Sequence, residues 1–286
     1  MSDHTLSSLN WAHPLIREWF INKFGSPTEP QQQGWPYILA KKATLISAPT
    51  GSGKTFTAFL ICIDKLFRDA LNNKLEDKTQ VLYISPLKAL NNDIQKNLIE
   101  PLNEIIQLAE SQGYSPQRIR IAVRTGDTLA KDRQNMLKKP PHILITTPES
   151  FFILLTAEKS RALLHDVKTV IVDEIHALAN NKRGTHLCLS LERLELLTPD
   201  SFIRIGLSAT QKPLDEVGHL LVGNGRPLPI IIHIEYAKDF DLAVLVPKSE
   251  LSAVASNEMW DEIYDRLAEL ISKHRSTLIF VNTRRL

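Results

Sequence analysis

The sequence predicts an α/β domain in which a parallel sheet is covered by helices on both faces. Three observations carry that prediction. Short apolar runs recur between Thr44 and Leu207, each followed by a stretch of helical period. Strands apolar along their whole length are those buried on both faces, as in parallel sheets. A glycine-rich segment, SAPTGSGKT from Ser47 to Thr55, falls between one such run and a helix. Polar motifs follow six of the runs, which puts them at the carboxyl ends of strands, where open α/β sheets bind ligands.

In chain order, Pro14 suits the first turn of a helix whose apolar residues Ile16, Trp19, Phe20 and Phe24 recur at three- and four-residue steps. Gly25 ends it, and Pro27-Thr28-Glu29-Pro30-Gln31 turns into a second helix toward Trp35, Tyr37 and Leu39. Gln31 carries a donor and an acceptor side by side, the complement of an adenine edge, although a lone glutamine is more often an ordinary surface residue. Thr44 to Ile46 reads as a buried strand, and Phe56, Phe59, Leu60, Ile63 and Phe67 as the inner stripe of the next helix.

Between strand and helix, Gly51 and Gly53 let the backbone curl its N–H groups toward phosphate oxygens. Lys54 would reach the outer phosphates and Thr55 would ligate magnesium. The helix adds the positive end of its dipole.

Further strands are expected at Val81–Ile84, Arg118–Val123, His142–Ile145, Thr169–Val172 and Ile203–Leu207. Their trailing motifs are Ser85-Pro86-Leu87-Lys88-Ala89-Leu90, Arg124-Thr125-Gly126-Asp127, Thr146 to Ser150, Asp173-Glu174-Ile175-His176 and Ser208-Ala209-Thr210. Asp127 is expected to cap the helix that follows it. An aspartate at the end of an apolar strand, downstream of a phosphate loop, is where a magnesium ligand is expected, so Asp173 takes that role. Glu174 would orient and deprotonate water. For an isolated acidic pair, helix capping would compete with this reading.

The composition sets the limits. With 34 Lys+Arg against 32 Asp+Glu, the formal charge of +2 offers no broad basic field, so nucleic-acid contacts must come from placed residues. Cys62 and Cys188 lie in apolar helical patterns without a CxxC partner, which suits packed, reduced thiols and a cytoplasmic location. The histidines lack zinc-site spacing. Charged residues interrupt the first 24 positions, and no apolar run approaches the ~20 residues that span a bilayer. Gly223 to Pro227 reads as a domain boundary, giving domains at 1–226 and 227–286. Beyond it lie the apolar runs Ile230–Ile234 and Leu242–Val246, a helix from about Glu258 to Lys273 and a strand at Thr277–Asn282.

The order Pro27-Thr28 to Gln31, Ala48 to Thr55, Ser85 to Leu90, Thr146 to Ser150, Asp173 to His176 and Ser208 to Thr210 resembles that of superfamily 2 helicases of the DEAD/DEAH-box type. RTGDT at 124 to 128, DEIHAL at 173 to 178, GLSATQKP at 206 to 213 and LIFVNTRRL at 278 to 286 are similar to the large helicase-related (Lhr) branch. The resemblance implies a RecA-like P-loop NTPase domain over 1–226. A linker and the beginning of a second RecA-like domain would fill 227–286. It implies ATP held by Gln31, Pro49, Thr50, Gly51, Ser52, Gly53, Lys54 and Thr55, with Mg2+ on Thr55 and Asp173. Glu174 and Lys54 would serve catalysis, while His176, Ser208, Ala209 and Thr210 would couple the nucleotide state to nucleic acid. Pro86, Lys88, Arg124, Gly126, Thr147, Pro148, Ser150, Asn282 and Arg284 would contact a single strand, of DNA or in an RNA–DNA hybrid, largely through its backbone.

By the same resemblance, movement would run 3′-to-5′ with a role in repair. Arginine fingers come from later parts of the second domain, beyond Leu286. The expectation is that this chain binds ATP, hydrolyses it weakly alone and needs the rest of that domain, from another chain if necessary. The alternative is a non-catalytic module that binds ATP and nucleic acid. A small-molecule kinase would share the phosphate loop but would not explain DEIH followed by SAT.

Overall fold

The structure is a computed structural model that describes residues 7–86, 94–210, 212–235, 241–247, 249 and 256–280. It divides into two compact units, one up to residue 236 and one from residue 237.

The first unit opens with helices α1 (Pro14–Phe24) and α2 (Glu29–Leu39). Pro14 stands at the start of α1, where a missing N–H costs nothing. Seven four- to six-residue strands follow: β1 (Thr44–Ser47), β2 (Val81–Ile84), β3 (Ile121–Arg124), β4 (Ile143–Thr146), β5 (Thr169–Val172), β6 (Ile203–Ser208) and β7 (Ile230–His233). The helices between them are α3 (Lys54–Leu71), α4 (Glu100–Ser111), α5 (Ala130–Lys138), α6 (Pro148–Thr156), α7 (Lys182–Leu197) and α8 (Leu214–Val222). Strand order is β3-β4-β2-β5-β6-β1-β7, and every pairing is parallel.

Side chains alternate across the sheet, so the uniformly apolar strands feed two separate cores. Ile46, Tyr83, Ile145 and Ile171 pack with α1 to α4 on one face. Their neighbours Leu45, Leu82, Leu144 and Val170 pack with α6, α7 and α8 on the other. This is the expected RecA-like architecture, a parallel sheet sheathed on both faces. Because all strands run the same way, the motifs that follow β1 to β6 emerge on one edge.

Three expectations are corrected. The third strand begins at Ile121 rather than Arg118 and runs to Arg124. The N-cap position of the following helix is Leu129 rather than Asp127, and Thr128 Oγ1 accepts from the Thr125 N–H and donates to Val123 O, folding the loop on itself. The division after residue 236 lies ten residues beyond the boundary expected at 226/227. The reason is β7, which pairs along β1 and so belongs to the first sheet.

The second unit contains α9 (Asn257–Lys273), capped by Ser256 Oγ accepting from the Met259 N–H. Leu242–Val246 and Thr277–Phe280 form no strand, and Asn282 lies outside the described residues. A strand is completed by a neighbour that takes its N–H and C=O groups, and the described residues of this unit include none.

Candidate active site

The phosphate-loop segment leaves β1 and turns into α3. Its backbone is left-handed at Gly51 (φ 82°) and at Gly53 (φ 85°), the N-cap of α3. That region costs residues with a Cβ about 1–2 kcal/mol, so glycine is required for the turn. A Cβ on Gly53 would also lie 3.0 Å from Gln31 Nε2 and 3.1 Å from Thr28 Oγ1. Gln31 is therefore packed against the loop rather than exposed on the surface. Its Oε1 accepts the Thr28 N–H at 2.9 Å, so half of its donor–acceptor pair is already engaged and the amide nitrogen faces the loop.

Half-buried Pro49 and exposed Thr50 form the rim of the loop, and the Ser52 N–H closes it onto Pro49 O at 3.3 Å. Lys54 is buried, and the Ser52 hydroxyl is buried without a partner among the described residues. A buried cation and an orphaned hydroxyl beside two left-handed glycines fit an oxyanion ligand better than an ordinary turn.

At the end of β5, Asp173 is held on three sides. Tyr83, on the neighbouring strand β2, donates its hydroxyl to Oδ2 at 2.5 Å. Thr55 donates to the same oxygen at 3.3 Å, and the Glu174 N–H donates to Oδ1 at 2.8 Å. Burial raises the Asp173 pKa above its ordinary value, and the nearby Glu174 charge adds to the rise; Tyr83, the Glu174 N–H and Lys54 oppose it. A carboxylate burdened in this way gains from a cation placed beside it. Its contact with Thr55 brings the two expected magnesium ligands together.

Glu174 is left-handed (φ 47°), which is uncommon for a residue with a side chain. Its N–H bond to Asp173 and the Ile175 N–H bond to Leu207 O at 3.0 Å hold it there. Strain of this kind is typical of functional positions. Its Oε2 lies 3.2 Å from His176 Nε2, while His176 Nδ1 accepts the Ala209 N–H at 3.2 Å. That acceptance assigns the ring proton to Nε2, facing Glu174. The DEIH segment is thus bonded directly to the Ser208-Ala209-Thr210 loop. Ser208 is buried and donates to Ala209 O at 2.8 Å, while Thr210 is exposed.

Those of the residues expected to contact nucleic acid that are described share the same sheet edge but are mostly engaged internally. Thr147 and Ser150 are buried, with Thr147 Oγ1 capping α6 by accepting the Ser150 N–H at 3.4 Å, and Pro148 occupies the first turn. Arg124 is buried and donates to Thr125 O at 2.6 Å. Gly126 O accepts from Arg133 at 2.8 Å, and Pro86 O accepts from Arg183 at 3.0 Å. Lys88, Asn282 and Arg284 lie outside the described residues.

Sequence reasoning missed Tyr83 and Arg183. Arg183 pairs with Glu149 at 2.5 Å while bonding Pro86 O, and so ties the ends of β2 and β4 together. The cysteines are free: burial pushes the Cys62 thiol up to about 12, and Cys188 donates to Leu220 O. Among the described residues no helix is long and apolar enough to cross a membrane, and no group of three or more His, Cys, Asp or Glu side chains is arranged to hold a metal ion.

Fold and site together define a phosphate-loop nucleotide-binding domain. Residues 28–217 match the DEAD/DEAH box helicase family, to which the chain belongs. It is 51% identical over 269 residues to the ATP-dependent helicase Lhr-Core of Methanocaldococcus jannaschii. It is 52% identical over 273 residues to ATP-dependent helicase Lhr-Core protein 2 of Thermococcus barophilus. Each alignment takes in 94% of this chain and 32% of the relative, so the chain spans about a third of their length. The structure of Mycobacterium smegmatis helicase Lhr bound to ssDNA and AMP-PNP matches with a TM-score of 0.83 and 44% identity, covering 97% of this chain and 35% of that one.

Proposed function

We propose that this chain is the ATP-binding part of an ATP-dependent nucleic-acid translocase or helicase of the Lhr type. The observation that carries it is the contact of Thr55 and Tyr83 with Asp173, beside a buried Lys54. ATP would lie with its phosphates along residues 49–55 and its adenine toward Gln31. Thr55 and Asp173 would hold Mg2+, which would neutralise phosphate charge when bound. Lys54 binds the outer phosphates. Glu174 orients water and accepts its proton, and His176 reports on Glu174 to the loop at 208–210. The relative's bound ssDNA supports single-stranded DNA as partner; an RNA–DNA hybrid is a further substrate in this proposal, resting on the motif resemblance alone.

Pro86, Lys88, Arg124, Gly126, Thr147, Pro148 and Ser150 would border the strand's path, and Asn282 and Arg284 would add to it. Because the side chains at 124 and 147 are engaged internally and Ser150 is buried, the contacts there would come from backbone N–H groups and helix ends. A second RecA-like domain, beginning within the unit from residue 237, would complete the ATP site, in this chain's own protein or in a partner chain. A cytoplasmic location suits the free cysteines.

Steady-state phosphate release by residues 1–286, with and without single-stranded DNA, is to be compared with Glu174→Gln. Release that depends on Glu174, however slow, supports the assignment. Equal rates in the two proteins would remove Glu174 from the chemistry and favour the non-catalytic reading.

A further inference from the structure

The last residues of three adjacent strands, Ser208, Ser47 and His233, stand side by side in register. Their side chains join into one polar chain. Ser47, fully buried, has its hydroxyl 3.3 Å from Ala209 O and 3.3 Å from His233 Nδ1. The other ring nitrogen of His233 lies 2.7 Å from Glu235 Oε1, and the same oxygen is 3.3 Å from Lys212 Nζ, just past the 208–210 loop. On its other side the Ala209 peptide bonds His176, which faces Glu174. An unbroken path therefore runs from Glu174 through His176, the Ala209 peptide and Ser47 to His233 and Glu235.

We propose that Ser47, His233 and Glu235 are positioning residues that link the 208–210 loop to β7, the strand through which the chain leaves its first unit. The inference rests on the nucleotide-site reading and extends it. Proton inventory makes Ser47 a two-position device. A carboxylate 2.7 Å from Nε2 requires an N–H there, so a neutral His233 presents a bare Nδ1 to Ser47. The single Ser47 proton must then choose between His233 and Ala209 O. When the Ala209 peptide tilts with His176, the preferred acceptor changes, and His233 is gripped or released. Ser208 also donates to Ala209 O, so that carbonyl keeps one bond in either position. The Ala209 carbonyl is therefore not stranded when Ser47 turns to His233.

The test uses residues 1–286 labelled with 15N, magnesium and a non-hydrolysable ATP analogue. In the wild type the ring nitrogens of His176 and His233 should shift together on adding the analogue. In His233→Phe the analogue should bind within about twofold of wild type, while its protection of the Ala209 amide from exchange falls by about tenfold. His233→Asn, whose amide can meet Ser47 Oγ, should restore that protection. Glu235→Gln, on an exposed residue that leaves the fold intact, should move the His233 resonances alone. The Ala209 amide should also exchange faster in nucleotide-free His233→Phe, a comparison that stands even if the analogue fails to bind the wild type and the nucleotide reading fails with it. A His176 shift without one at His233, or unchanged Ala209 exchange in His233→Phe, would overturn the proposal.

Discussion

Replacing Tyr83 by phenylalanine removes one oxygen from the interior and tests the geometry on which the site depends. Tyr83 is buried, its ring packs on Phe59 with centroids 4.9 Å apart, and its hydroxyl donates to Asp173 Oδ2. Phenylalanine keeps the ring contact and strands no polar atom of its own. Asp173 keeps its bonds from Thr55 and from the Glu174 N–H. What is lost is one hydrogen bond to a buried carboxylate, worth about 1.5–3 kcal/mol, with the low end expected because two donors remain. For a chain of this size the melting temperature should fall by roughly 3–6 °C at neutral pH.

The sign of the pH dependence follows from Asp173. Its folded pKa is raised by burial, so its titration favours the fold below the unfolded pKa, and that contribution is lost as pH rises through the folded pKa. Tyr83 opposes the rise by stabilising the charged form. The destabilisation in Tyr83→Phe should therefore be greatest at neutral pH and shrink as Asp173 protonates in acid. Denaturant melts of both proteins across pH give the number. A difference that is absent, or that grows in acid, would refute the placement of Tyr83 on Asp173.

Two further outcomes follow from the site. Gly53→Ala puts a Cβ at φ 85° against Gln31 and Thr28, and calorimetry should show at least about tenfold weaker Mg–ATP binding, from ~1–2 kcal/mol of strain plus displacement of Gln31. Binding of unrelated single-stranded oligonucleotides should weaken as salt rises, with little preference among sequences, because the edge offers groups for phosphates rather than bases. A fluorescence titration across a salt series, showing either strong sequence preference or no salt dependence, would count against it.

The sheet, its parallel sense and the edge that carries the site were legible because all three depend on local signals. Continuous apolar runs announce burial on two faces, and the glycines between strand and helix announce the phosphate loop. What was not legible depends on strand order. Tyr83 lies in a strand where apolar residues point both ways, and only the placement of β2 beside β5 brings its hydroxyl to Asp173. His233 lies inside the apolar run Ile230–Ile234 and gains its meaning only when β7 pairs with β1. The same pairing moved the division of the chain past 226, since a Gly- and Pro-rich turn marks a bend without saying which sheet the next strand joins. Asp127 had a capping side chain in a plausible place, but Thr128 closed the loop first and the helix began later. Thr147 and Arg124 have the chemistry to bind phosphate, yet each is engaged by its own backbone neighbourhood.

The central claim is that residues 49–55 hold the phosphates of a magnesium-bound nucleotide, with Lys54 as the cation. Isothermal titration of Mg–ATP into residues 1–286 and into Lys54→Ala tests it most directly. The account predicts one nucleotide bound per chain and a loss of about ten- to a hundredfold in affinity in the variant, the size of one charge-assisted contact. Equal affinities in two folded proteins would contradict it.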